Sequence, residues 1–121
     1  MIQEDYVSFE VAKLLKEKGF DEPCSHFYRF DKPDTIYTGT SYRNSEIGDK
    51  QSKVYNTCTQ ALAMKWLREV HDIDISIIPL RSHKEYLPRI ESDIISHDAI
   101  PCKEYEKSVE VAIKYCLKNL I

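Results

Sequence analysis

The sequence predicts a small α+β domain, an antiparallel sheet packed by helices in the order α-β-β-α-β-β-α. Three observations predict it. Apolar residues recur at helical spacing in three segments, around Val11–Leu15, Ala63–Val70 and Val109–Leu120. Ile73, Ile75 and Ile77 alternate with polar neighbours at the strand period of two. The β-prone runs come in pairs separated by turn-forming residues. At 121 residues the chain fits one domain, 1–121, and can bury a core without staples. Its 42% hydrophobic and 31% charged residues match a globular chain rather than a disordered one.

The first helix is expected over 9–18. Ser8 is a natural cap and Glu10 suits the positive end of the helix dipole. Val11, Leu14 and Leu15 make its apolar face, Gly19 ends it in a left-handed conformation, and Phe20 folds back on the last turn. Residues 25–30 and 35–42 read as a hairpin around the turn Asp31-Lys32-Pro33-Asp34. Arg43 to Lys53 is polar, lacks a period and reads as a mobile loop.

The second helix is expected from near Cys58 to His71. Thr57 would cap it and Gln60 would sit at capping-box spacing. Ala63, Leu67 and Val70 give its stripe, widened by Met64 and Trp66. The isoleucine strand and residues 85–91 form a second hairpin, and Pro88 places its own strand at an edge. Residues 93–101 are ambiguous, with a short extra strand as one reading. The last helix, 105–120, carries Val109, Ala112, Ile113, Cys116, Leu117 and Leu120 on one face.

Composition excludes several function classes. A net charge of -3 and a pI near 5.8 argue against broad nucleic-acid binding. No stretch approaches a membrane span, and Met1 to Asp5 lacks the features of a secretory signal, so the cytosol is the expected compartment. Cys24, Cys58, Cys102 and Cys116 form no C-x-x-C pair and match no zinc template; reduced, packed thiols are expected. His26, His71, His83 and His97 lack ligand spacing. Cys24-x-His26 is the one thiol–imidazole pairing, and packing is its plainer explanation. No catalytic residue, metal ligand or cofactor is therefore expected from the sequence.

Two patterns point to binding. Thr57, Thr59 and Gln60 set hydroxyls and backbone N–H groups at a helix start, which suits a phosphate as well as a cap. Arg29, Tyr42, Arg43, Lys53 and Tyr55 interleave basic and aromatic side chains that can hold phosphates and stack a base. Solvated strand tyrosines explain the same pattern. Eight tyrosines in 121 residues also suit a protein interface.

The segments Tyr6-Val7-Ser8-Phe9-Glu10-Val11-Ala12 through Phe20, Thr59-Gln60-Ala61-Leu62-Ala63-Met64-Lys65-Trp66 through His71, and Ala112-Ile113-Lys114-Tyr115-Cys116-Leu117 through Ile121 carry a resemblance. They resemble an uncharacterised family of small proteins from gut Bacteroidetes genomes and their phages. The resemblance covers the three helices, about a third of the chain. It brings no established activity and hence no site residue. It implies a phage or mobile-element setting, with function in the strands and loops that vary most. Cys58 stands where relatives often carry proline, which fits the first position of a helix capped by Thr57.

Together these readings favour a non-enzymatic accessory protein acting by stoichiometric binding. The target is a host-defence nucleotide signal or other small phosphate-bearing ligand. The alternative is a protein–protein interaction module, a homo-oligomer or an inhibitor of a host protein. A homodimer through the last helix or an exposed strand edge is the form expected of that alternative.

Overall fold

A computed structural model describes residues 2–47 and 53–121. The described chain is α+β, with helices α1 (Phe9–Glu17), α2 (Gln60–His71) and α3 (Tyr105–Asn119). Strands β1 (Cys24–Arg29), β2 (Lys32–Tyr42) and β3 (Val54–Thr57) form one antiparallel sheet in the order β2-β1-β3. Strands β4 (Asp74–Leu80), β5 (Glu85–Glu91) and β6 (Ser96–Asp98) form a second, in the order β4-β5-β6. The order of elements matches the expectation except for β3. The expected single sheet is two, because β3 completes the first around β1. Contacts divide the chain into two compact units, one of residues Tyr6–Thr59, the other of Gln60–Ile121 with the stretch up to Asp5.

In the unit of residues 6–59, α1 begins and ends as its sequence dictates. Ser8 accepts a hydrogen bond from the Val11 N–H at 3.3 Å. Gly19 takes φ +90°, and the Phe20 N–H reaches back to the Leu15 carbonyl at 2.9 Å. Phe20 is thereby buried beside Val11, Ala12 and Leu15 in this unit's core.

The first hairpin turns at Phe30 and Asp31, two residues tighter than Asp31-Lys32-Pro33-Asp34 suggests. Pro33 is then a strand residue, which is tolerable because β2 is an edge. β2 uses eleven residues against six of β1, with register shifts between Cys24 and His26 and between Phe27 and Arg29. Such shifts bend a ribbon.

The polar stretch after β2 departs from the expected loop. Asn44–Glu46 is a turn of 3-10 helix, and Asn44 is buried. Asn44 donates to the Phe20 carbonyl at 2.9 Å and accepts from the Asn56 N–H at 3.3 Å. The remainder of that expected loop, 48–52, lies outside the described residues.

Thr57 is the other correction. It closes β3 instead of capping a helix, and its hydroxyl donates to the Val7 carbonyl at 3.0 Å. The Val7 N–H in turn donates to Cys58, so backbone pairing claims this stretch and α2 starts only at Gln60.

In the second unit, Ala63, Trp66 and Leu67 of α2 are buried with Val109, Ala112, Ile113, Cys116 and Leu117 of α3. Val70, expected on the α2 stripe, lies in the last turn of the helix and is 57% exposed. Ile75, Ile77 and Ile90 share one sheet face by register. Pro88 sits in the central strand, not at an edge. In an antiparallel ladder a residue's N and C=O face the same neighbour. The Pro88 carbonyl accepts from Ala99, just past the end of β6, so the missing N–H falls where pairing stops. Residues 96–98 supply the short extra strand.

Among the described residues, no helix is long and apolar enough to cross a membrane.

Candidate functional site

Side chains of directly opposed residues share a sheet face, so Phe27, Tyr37 and Asn56 lie on one side of the first sheet. Tyr28 and Tyr55 lie on the other. Helix α1 takes the Tyr28 side, where Phe9 meets Tyr28 and Tyr55 edge-on at 5.7 and 5.5 Å. On the opposite side Phe27 and Tyr37 stack with centroids 5.6 Å apart and planes 18° from parallel. The Arg29 guanidinium lies 5.7 Å from the Tyr37 ring. Gly39 makes room for this stack, since a Cβ there would stand 3.4 Å from Phe27 Cε1. The result is an aromatic platform with a cation at one end.

The residues singled out by sequence fall into separate places. Arg29 and Lys53 sit at one end of β1. Lys53 Nζ lies 4.4 Å from the Phe30 ring, and Arg29 also faces Asp31 at 3.5 Å in an exposed, weak ion pair. Tyr42 and Arg43 are at the far end, where Tyr42 pairs with Cys24, about 17 Å away along the strand. There the Arg43 guanidinium donates to the Asp21 carbonyl at 2.9 Å. Tyr55 is on the helix side, with Lys16 Nζ 5.2 Å from its ring. That ammonium donates to the Val54 carbonyl at 2.9 Å, and burial lowers its pKa.

Thr57 is buried with its hydroxyl committed to Val7, and Thr59 pairs with Tyr6. Gln60 opens α2 in the other unit. Its backbone N–H donates to the Asp5 carbonyl and its side-chain amide to that of Glu106, both at 2.9 Å. The cleft at this helix start is walled by Glu4, Asp5 and Glu106, which repel an anion.

Cys24 and His26 share a strand face but do not pair. The Cys24 thiol donates to the Glu22 carbonyl at 3.4 Å, while His26 Nδ1 lies near the hydroxyls of Tyr6 and Ser25. Burial, with help from Glu22, pushes the Cys24 thiol up to about 11, so thiolate is scarce at neutral pH. His97 lies flat on Tyr115, centroids 4.3 Å apart. Among the described residues, no group of three or more His, Cys, Asp or Glu side chains is placed to share a metal ion.

Two features escaped the sequence reading. His71 Nε2 is buried without a hydrogen-bond partner among the described residues, its ring edge-on to Trp66 at 4.7 Å. Arg81 and Lys84, read only as parts of a polar turn, share a cleft wall with Lys103 from a distant stretch of chain. Their sequence separation hides that convergence. Compared with family models, curated proteins and solved structures, the chain matches none.

Proposed function

We propose that this chain is a stoichiometric binding protein rather than an enzyme, and that it engages its partner through the β1–β2 ribbon. One observation carries the reading: ten of the eleven residues of β2 are exposed, the exception being Tyr37. A strand that buries so little of itself contributes little to its own core and leaves both an edge and a face open. Phe30, Ile36 and Tyr42, 51%, 41% and 51% exposed, add apolar surface to the same ribbon.

The occupant that fits is a second copy of this chain. Thr35 to Tyr42 carries no charge, so two copies meet there without like-charge repulsion. The last helix, the other dimer surface expected from sequence, buries its apolar face within its own unit. Size-exclusion with light scattering tests this. The wild type is expected as a dimer, and Ile36→Lys as a monomer with an unchanged circular-dichroism spectrum. A wild-type monomer at high concentration overturns the self-pairing.

A second reading keeps the small-ligand alternative, capture of a phosphate-bearing host-defence signal in the phage or mobile-element setting that the resemblance implies. The Arg29–Tyr37 contact favours it, being a cation beside a stacking surface. Absence of both heat and thermal shift with nucleotide second messengers would remove this reading.

A further inference from the structure

The β4–β5 hairpin closes through Arg81-Ser82-His83-Lys84, between the paired residues Leu80 and Glu85. The His83 N–H donates to the Leu80 carbonyl at 3.1 Å, and Lys84 is held at φ +53°. That left-handed conformation is ordinarily given to glycine or asparagine, so the turn carries a lysine where a strain-free residue was open to it. A third cation arrives from far along the chain. Tyr86 and Cys102 exchange backbone hydrogen bonds at 2.7 and 2.9 Å, and this isolated bridge sets Lys103 beside the turn.

Arg81, Lys84 and Lys103 line one cleft of about 400 Å³, within the range of small-molecule sites. Glu85 is the one carboxylate in its wall. None of the three cations has a hydrogen-bond or ion-pair partner among the described residues. In a chain with 20 acidic and 17 basic residues, three unpaired cations against one acid is a local inversion of charge. The chemistry fits a multiply charged anion: an arginine fork matches two phosphate oxygens, and two lysines add point charges from other directions. Pro79 and Tyr86 supply the less polar part of the wall.

We propose that the β4–β5 turn and Lys103 form a binding site for a small diphosphate-bearing ligand, held by Arg81, Lys84 and Lys103. This deepens the small-ligand reading and rests on it, but assigns the ligand to the unit of Gln60–Ile121 instead of to the Arg29–Tyr37 platform.

Titration calorimetry at low ionic strength, with inorganic pyrophosphate and with ADP as probes, tests it. Binding of pyrophosphate assigns the site to free diphosphate, and binding of ADP alone to a nucleoside-borne one; either supports the proposal if the cluster carries the affinity. Arg81→Gln with Lys84→Gln is expected to weaken binding roughly tenfold or more. Lys103→Gln should weaken it less, and Lys65→Gln, an exposed α2 lysine outside the cleft, should leave it unchanged. Circular dichroism checks that each variant folds. If a probe binds with affinity lost in Arg29→Gln but not in the Arg81/Lys84 variant, this placement is wrong while the small-ligand reading stands. If neither probe binds, the site at Arg81, Lys84 and Lys103 falls, while the small-ligand reading falls only if the nucleotide second messengers also give neither heat nor thermal shift.

Discussion

Asn44 and Asn56 form a linked pair in which each side chain satisfies backbone groups of a different segment. The Asn44 amide bridges the Phe20 carbonyl and the Asn56 N–H. The Asn56 side chain donates to the Tyr42 carbonyl at 2.6 Å. Both asparagines are buried, so the pair ties the end of α1, the end of β2 and the middle of β3 into one unit. Asn44→Leu would leave a buried carbonyl and a buried N–H unmade, at about 1–3 kcal/mol each. A chemical-denaturation midpoint lowered in proportion is expected. Wild-type stability in that variant would remove the structural role assigned to Asn44.

The Asp21 carboxylate makes the same region pH-sensitive. It accepts from the Ser45 N–H at 2.7 Å and the Ser45 hydroxyl at 2.8 Å. These bonds, with a smaller contribution from Arg43, hold its pKa below the ordinary 3.8. A depressed folded-state pKa contributes stability that is present above the unfolded value and lost as pH falls through the folded one. Asp21→Asn should therefore melt below the wild type at pH 7, with the gap closing below about pH 3.8. A gap that persists unchanged into acid would show that the carboxylate charge is irrelevant.

The cysteines should differ in reactivity. Burial pushes Cys116 up to about 12, and burial with Glu22 pushes Cys24 up to about 11. At pH 8 their thiolate fractions are then on the order of one in a thousand or less. Cys58 is 3% exposed, whereas Cys102 is partly open. Iodoacetamide under native conditions should label Cys102 first, as read by peptide mass spectrometry. Early labelling of Cys116 would contradict the packing of α3.

His71 offers a test in the stabilising direction. Its buried Nε2 has no partner among the described residues, yet the ring packs edge-on against Trp66. His71→Phe keeps that ring contact and removes the unsatisfied atom. Stability should hold or rise by about 1 kcal/mol. A clear loss would reveal a partner for the ring nitrogen.

What the sequence determined by itself is local. Ser8, Gly19 and the Val11/Leu15 spacing define α1, the Val109–Leu117 stripe defines α3, and the isoleucine alternation defines β4, because each signal acts within a turn or two of chain. Together they suffice for the α+β class. Tertiary structure decided what depends on distant partners. Thr57 reads as a helix cap from its neighbours, and the Val7 carbonyl, fifty residues away in sequence, makes it a strand end instead. Pro88 reads as an edge residue until β6 is seen to stop beside its missing N–H. The candidate sites were less legible for the same reason. Arg29 and Tyr37 meet only across a hairpin, and Lys103 reaches Arg81 and Lys84 only through the Tyr86–Cys102 bridge. Periodicity and capping report a residue's own neighbourhood. Strand pairing and charge convergence are set by loop closure, which no local pattern encodes.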